Sequence, residues 1–114
     1  MGALNNQKQH YVANRPSRPP THPGIIVRNN VLPALMLSVE QAAGELRVPP
    51  DLLSGILQGT HPVTPDMAIR LGKFCGNGHQ FWLRMQEAHD LWQAQDRLRE
   101  ELAAIPCRQP PLAA

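Results

Sequence analysis

Apolar residues in the centre of the chain recur at helical spacing. After Ser38 they fall at positions i, i+3, i+4 and i+7, which places them on one helix face. These residues are Val39, Ala42, Ala43 and Leu46. The Ser38 hydroxyl can cap the free N–H groups at the start of this helix, and Gln41 can complete a capping box. The sequence contains no alternating strand pattern, so it predicts an all-α fold.

Four further helices are predicted from the positions of proline, glycine and apolar residues. Proline suits a first helical turn, because the N–H group that it lacks has no partner there. A first helix therefore starts at Pro23 and ends or kinks at Pro33, while the third and fourth start at Pro50 and Pro65. A fifth helix is predicted from about Gln80 to Ala104. The first, third and fourth helices are expected to bury Ile25, Ile26, Val31, Leu32, Leu52, Leu53, Ile56, Leu57, Met67, Ala68, Leu71 and Phe74.

The two ends of the chain differ in composition from its centre. Residues 1–21 contain too few apolar side chains to offset the entropy of ordering them, and are predicted to be a disordered basic arm. The net charge of the whole chain is only +2, but every acidic residue lies at or beyond Glu40. Residues 1–21 therefore carry no negative side chain to balance their basic ones. Such an arm can follow a phosphate backbone or can simply be solvated. Residues 22–105 are expected to form one domain, and residues 106–114 a flexible tail.

The residue types needed for catalysis, metal binding or membrane insertion do not occur in suitable patterns. Histidines and cysteines are scattered, so neither a metal nor another cofactor is predicted, and Cys75 and Cys107 are expected to be reduced thiols. No activated nucleophile, phosphate loop or acid pair occurs, which argues against an enzyme. No apolar run approaches the roughly 20 residues of a membrane helix, and no secretory segment is recognised. We therefore expect a soluble cytoplasmic protein.

The second and third helices have the pattern of a helix-turn-helix. Small residues at the centre of the first helix allow two short helices to cross closely, and apolar side chains fill the angle between them. The predicted core consists of Ala42, Ala43, Leu46, Val48, Leu53 and Ile56. Because this pattern is common in small helical proteins, DNA binding and a purely structural helix pair stay open as equal alternatives from the residues alone.

Several short motifs, in their order from about His22 to Trp92, resemble the HigA-type antitoxins. The motifs are His22-Pro23-Gly24, Leu37-Ser38 through Gln58-Gly59, Val63-Thr64 with Ala68-Ile69-Arg70-Leu71, and Phe81-Trp82-Leu83 through Gln86 to Asp90-Leu91-Trp92. The resemblance implies a five-helix lambda-repressor-like DNA-binding domain with a long C-terminal helix. It further implies a homodimer on the operator DNA of its own promoter. The implied protein partner is a HigB-like mRNA endonuclease toxin, to which catalysis would belong.

The third helix departs from the donor-rich sequence that such antitoxins usually present. Pro49 and Pro50 offer no hydrogen bond, and phosphate repels the Asp51 carboxylate unless that carboxylate accepts from cytosine N4. Gly55 has no side chain to reach the groove, and Arg47 takes a turn position that commonly needs the left-handed conformation of glycine. The candidate DNA-binding residues are Arg47, Pro50, Asp51, Ser54, Gln58, Thr60 and His61.

An apolar stripe on the last helix is the candidate dimer interface. The stripe contains Trp82, Met85, His89 and Trp92, and continues through Leu98, Leu102 and Ile105. Of the two tryptophans, Trp82 is favoured as a core residue and Trp92 as an interface anchor. Two alternatives to an antitoxin stay open. One is a protein-interaction module of the same fold that has lost specific DNA readout, and the other is a stand-alone transcriptional regulator.

Overall fold

The computed structural model describes residues 17–109 of the chain and shows helices without strands in that range. The first sixteen residues of the predicted arm and the last five of the predicted tail lie outside it. The helical elements are α1 (Pro23–Ile26), a π-helical turn (Val27–Val31), α2 (Leu32–Leu35), α3 (Val39–Leu46), α4 (Pro50–Leu57), α5 (Pro65–Cys75), α6 (His79–Arg97) and α7 (Arg99–Ala104). The predicted all-α fold is confirmed.

The first predicted helix corresponds to α1, the π-helical turn and α2, which follow one another without a break. Pro33 does not end the helix, which continues to Leu35 and stops where Met36 takes a left-handed conformation with φ 55°. Val27 and Leu32, five residues apart, are both buried. In a regular α-helix this spacing turns two side chains about 140° apart, and the wider π turn brings them closer to one face.

Local capping groups start the helices where the sequence predicts them. Ser38 and Gln41 form a reciprocal capping box, with the Gln41 N–H donating to Ser38 Oγ at 3.0 Å and the Ser38 N–H to Gln41 Oε1 at 2.9 Å. Thr64 Oγ1 accepts from the Met67 N–H at 3.2 Å at the start of α5. These contacts satisfy N–H groups that a helix leaves without partners at its start.

The last predicted helix is interrupted, so the prediction of one continuous helix from Gln80 to Ala104 is wrong. α6 ends at Arg97, Leu98 leaves helical geometry with ψ 11°, and α7 begins at Arg99. The Arg99 guanidinium donates to the Asp96 carboxylate across the break. Leu98, Leu102 and Ile105 are exposed, so the stripe does not continue into the core beyond α6.

The core lies between α3, α4 and α5 and is closed by the first helix and α6. Its buried apolar residues are Val27, Leu32, Ala42, Ala43, Leu46, Leu53, Ile56, Leu57, Val63, Met67, Ala68, Leu71 and Trp82. Of the residues expected to be buried, Ile25, Ile26, Val31, Leu52 and Phe74 are only partly buried. The register of the first helix explains part of this difference, because the π turn directs Val27, rather than Ile25 or Ile26, fully into the core.

Candidate nucleic-acid interface

α3 and α4 form a tight elbow whose inner angle is filled by apolar side chains. Five of the six predicted core residues are buried, namely Ala42, Ala43, Leu46, Leu53 and Ile56. The sixth, Val48, packs against this cluster but is only partly buried. Two alanines in α3 have small side chains, so α4 can cross close to α3.

The turn between the two helices is held by a contact that the sequence did not reveal. Arg47 ends α3 in the left-handed conformation, with φ 60°, as its turn position requires. Arg70 Nη1, on α5, donates to the carbonyl of Leu46 at 2.9 Å and to that of Arg47 at 3.3 Å. Arg70 Nε also lies 3.5 Å from the Asp66 carboxylate. Arg70 thus satisfies carbonyls that the end of α3 leaves without helical partners.

The start of α4 presents few N–H groups to solvent. Pro49 precedes the helix and Pro50 opens it, so neither position has an N–H. The N–H groups of Leu52 and Leu53 both donate to the Pro49 carbonyl, at 3.1 and 3.2 Å. Anions bind at helix starts through free N–H groups, so this helix start is poorly suited to hold a phosphate.

The candidate DNA-binding residues lie on α4 and in the turns immediately before and after it. Arg47, Pro50, Asp51 and Gln58 are exposed, and Ser54 is partly buried on the same helix. Thr60 and His61 are exposed in the turn after α4, but Thr60 Oγ1 donates to the Gly55 carbonyl at 3.1 Å. The Thr60 hydroxyl proton is therefore engaged within the chain, while the side chains of Arg47 and Gln58 are exposed donors.

Gly55 leaves room for the His61 ring in the turn after α4, because it has no side chain. A Cβ atom at position 55 would lie 3.3 Å from Cγ of the His61 ring, which is tighter than ordinary contact. The Gly55 carbonyl also accepts from the backbone N–H groups of Thr60 and His61, at 2.9 and 3.1 Å. Gly55 therefore allows the chain to fold back over the end of α4.

The helix pair itself carries a small excess of negative charge. Between Ser38 and His61 there are three carboxylates, on Glu40, Glu45 and Asp51, against the single guanidinium of Arg47. Arg47 is therefore the one cation of the elbow that can contact phosphate, and further phosphate contacts would draw on cations outside it, such as Arg28 or the basic residues that precede it.

His22 joins the first helix to the turn that follows α4. Its Nδ1 accepts from the Gly24 N–H at 2.9 Å and caps α1. The imidazole ring of His89 meets the His22 ring edge-on, with centroids 5.0 Å apart. Burial lowers the pKa of His22 below 6.5 and the nearby His89 lowers it further, while a His61 backbone hydrogen bond and Asp90 partly oppose the shift.

The stability of the fold is expected to depend on pH through His22. The unfolded chain binds this proton more tightly than the folded chain, so His22 contributes full stability above pH 6.5. That contribution is lost as the pH falls from 6.5 through the lower folded pKa. Urea unfolding at about pH 7.5 and about pH 5.5 measures the change.

The His22→Asn variant isolates this effect, because asparagine is a good N-cap but does not titrate. It should show a smaller loss of stability on acidification than the wild type. The matched control is His79→Asn, at an exposed position on the first turn of α6, which should keep the wild-type pH dependence. Equal pH dependence in the wild type and His22→Asn would contradict the assignment.

The predicted interface stripe on α6 contacts the chain's own residues. Trp82 is 1% exposed, and its indole N–H donates to Asn77 Oδ1 at 3.0 Å. Trp82 therefore lies in the core of the single chain and presents almost no surface to a second copy. Met85, His89 and Trp92 are partly buried, and His89 Nδ1 lies 3.1 Å from the Pro20 carbonyl oxygen. This contact brings Pro20, inside the predicted arm of residues 1–21, against α6.

A buried polar residue on α6, Gln86, fixes the loop that leads from α4 to α5. Gln86 Oε1 accepts from the Val63 N–H at 2.7 Å, and its Nε2 donates to Asp90 at 2.9 Å. Burial of an amide is favourable only when its polar atoms have partners. Gln86 therefore positions the segment that follows α4 relative to α6.

Residues 17–109 contain neither a grouping of metal ligands nor a membrane-spanning helix. In this part of the chain, no three His, Cys, Asp or Glu side chains are grouped so that they could hold a metal ion. None of the described helices is both long and apolar enough to cross a membrane.

Three comparisons identify proteins to which the chain is similar. It is 35% identical over 91 residues to the helix-turn-helix transcriptional regulator YbaQ of Escherichia coli K12, covering 78% of this chain and 80% of YbaQ. The structure of a HigA-family addiction module antidote protein from Coxiella burnetii has a TM-score of 0.73 and 31% identity, covering 80% and 99% of the two chains. Pseudomonas aeruginosa antitoxin HigA, solved with the higBA promoter, has a TM-score of 0.74 and 27% identity, with the same coverage. No protein-family model matches the chain.

The elbow of α3 and α4, with one surface of α4 exposed, defines a helix-turn-helix DNA-binding protein. α4 occupies the position that the recognition helix takes in this class of protein. The sequence identity to the relatives, and the share of each chain that the match covers, show the family within this class. The chain belongs to the HigA family of helix-turn-helix antitoxins.

Proposed function

We propose that the chain is the antitoxin of a type II toxin–antitoxin system. It represses its own operon as a dimer, and it neutralises a HigB-like mRNA endonuclease toxin by binding it. The protein itself is not an enzyme, because its role is to occupy DNA and to cover the toxin. It acts in the cytoplasm, where both its operator and its toxin are found.

The observation that carries the DNA-binding part is the exposed surface of the recognition helix, held by the Arg70 contact to the preceding turn. The related P. aeruginosa antitoxin HigA was solved with its promoter, and the present chain matches 99% of that structure at a TM-score of 0.74. In such folds the recognition helix enters the major groove, and a dimer places two of them about 34–36 Å apart.

Dimerisation is supported by apolar side chains that the single chain leaves uncovered. Leu91, on α6, is 52% exposed, and three further exposed apolar residues follow it, namely Leu98 at the helix break, Leu102 on α7 and Ile105 just after α7. Burying such a row against a second copy removes apolar area from water. This row, together with Trp92, replaces Trp82 as the proposed interface.

A protein-interaction module without DNA readout is the second candidate. The observations that favour it are the excess of carboxylates in the helix pair and the two prolines at the start of the recognition helix. A titration of the chain's own promoter region, followed by gel shift at low and moderate salt, separates the two functions. An antitoxin repressor gives a shift that weakens as salt rises. Its cationic side chains release counterions from the duplex on binding, and this release is less favourable at high salt.

The Arg47→Gly variant tests whether the shift comes from this elbow. Glycine adopts the φ of 60° at position 47 without strain, so the fold is retained while the guanidinium is lost. Promoter affinity should fall about tenfold, a typical loss for one charge-assisted contact. Arg84→Ala removes the same charge from the exposed surface of α6 and should leave affinity near the wild-type value.

No promoter shift at low salt, with an intact circular dichroism spectrum, would support the interaction module instead. Toxin binding is tested separately by co-expression with the neighbouring small open reading frame. An antitoxin restores growth and co-purifies with that product, whereas a stand-alone regulator does neither.

A further inference from the structure

We propose that Asp51 selects cytosine in the operator, so that the recognition helix reads one base through an acceptor rather than through a donor. The inference rests on the DNA binding proposed above, and it names the base that the helix recognises. It follows from the surroundings of Asp51 and from the chemistry of the base edges.

Asp51 is an exposed carboxylate on the first turn of the recognition helix, at the end that enters the groove in this class of protein. Within residues 17–109 its carboxylate oxygens form no hydrogen bond and no ion pair. Its two oxygens are therefore available as acceptors for an incoming ligand.

A second helix of this chain, α5, also starts with proline and aspartate. Its aspartate has a cation four residues later, whereas Asp51 has none. Asp66 follows Pro65 at the same position of α5, and it lies 3.5 Å from Arg70, four residues later. Four residues after Asp51 the chain has Gly55, which has no side chain. Asp51 therefore has no cation on its own helix to hold it in an intramolecular pair.

The same helix start is unsuited to phosphate. Pro49 and Pro50 have no N–H, and the N–H groups of Leu52 and Leu53 are bound to the Pro49 carbonyl. A carboxylate next to a phosphate adds repulsion. The favourable partner for Asp51 on a duplex is therefore a base donor in the major groove.

Cytosine N4 is the base donor that suits a carboxylate. Thymine and guanine present acceptors at the corresponding major-groove positions, and adenine places its N7 acceptor next to its N6 donor. A carboxylate would be repelled by each of those acceptors. Asp51 thus favours cytosine over the other three bases at one position in each half-site.

The test is a selection of binding sites from a pool of random duplexes by the full-length protein at about 50 mM salt. The wild type should enrich one position for cytosine, and should bind a cytosine duplex at least about fivefold more tightly than a thymine duplex. Asp51→Ala should reduce that ratio to about one without weakening the average affinity, because it also removes a repulsive charge. Asp51→Asn should lose the cytosine preference and turn toward adenine, whose N6 and N7 match a side-chain amide.

Glu40→Gln is the charge control, since it removes one exposed carboxylate from the first turn of α3 in the same helix pair. It should keep the cytosine preference. Failure of the wild type to enrich any duplex would overturn both this inference and the proposed function. Enrichment without a cytosine preference, or a preference that persists in Asp51→Ala, would overturn the inference alone and leave the proposed DNA binding standing.

Discussion

Replacement of Gly24 by alanine is expected to destabilise the fold by about 3 kcal/mol, the upper range for forcing extra volume into a packed site. A Cβ atom at this position would lie 1.7 Å from the carbonyl oxygen of Ile56, on the recognition helix. Backbone cannot rotate away as a flexible side chain can, so α1 and α4 must separate. A fall in Tm of roughly 12 °C or more, followed by circular dichroism, is the expected readout.

Gly44→Ala is the matched control for this prediction. A Cβ atom at Gly44 would meet nothing within 4 Å, and Gly44 lies inside α3. Alanine there should stabilise the fold by about 0.5–1 kcal/mol, because it loses less backbone entropy on folding than glycine. Equal melting temperatures for Gly24→Ala and the wild type would show that α1 does not approach the recognition helix this closely.

Replacement of Trp82 by alanine is expected to cost about 3–5 kcal/mol, the usual range when a large aromatic side chain is removed from a core. Trp82 is 1% exposed and closes the core from α6. The substitution also leaves Asn77 Oδ1 without the indole N–H that now donates to it. Urea unfolding at one fixed protein concentration measures the loss, since the proposed dimer would make stability depend on concentration.

Trp92→Ala provides the comparison, because Trp92 is a partly buried tryptophan on the same helix. Its effect on unfolding at low protein concentration should be less than half that of Trp82→Ala. Its main effect should be a weaker dimer in sedimentation velocity. A larger loss of stability from Trp92→Ala than from Trp82→Ala would reverse the assignment of core and interface.

These predictions depend on the contacts that the first helix, α5 and α6 make with the recognition helix or with the segments next to it. Gly24 lets the first helix approach the Ile56 carbonyl, Arg70 binds the carbonyls that precede α4, and Gln86 fixes Val63 after it. The exposed surface of α4 is thus carried on a rigid support. A rigid support is what base recognition needs, because contacts to base edges depend on accurate side-chain placement.

Short-range features of this support were predictable from the sequence. The capping box of Ser38 and Gln41 spans three residues, and the left-handed turn at Arg47 was expected from the resemblance to HigA-type antitoxins. The elbow core was also predictable, since spacing alone puts Ala42, Ala43 and Leu46 on one face. The candidate DNA-binding residues followed from the same register, although their roles await the experiments above.

Three other features were not predictable, and each depends on residues distant in the chain. Helical spacing puts Trp82 and Trp92 on one stripe, but only the packing of α6 on α5 buries the first tryptophan. The sequence shows Arg70 as an ordinary exposed helix cation, yet its guanidinium reaches a carbonyl 24 residues earlier. The break at Leu98 has no proline or glycine to mark it.

The amino-acid sequence by itself determined where α1, α3, α4 and α5 start and which faces of α3 and α4 are apolar, and the order of its motifs indicated to which family the chain belongs. The helix starts and the apolar faces depend on hydrogen bonds and side-chain spacing within about one or two helical turns. The tertiary structure alone decided which tryptophan is core, how closely Gly24 meets Ile56, and which backbone carbonyls Arg70 binds. Those outcomes depend on the distances between helices, and such distances are fixed only when all the packed surfaces are satisfied together.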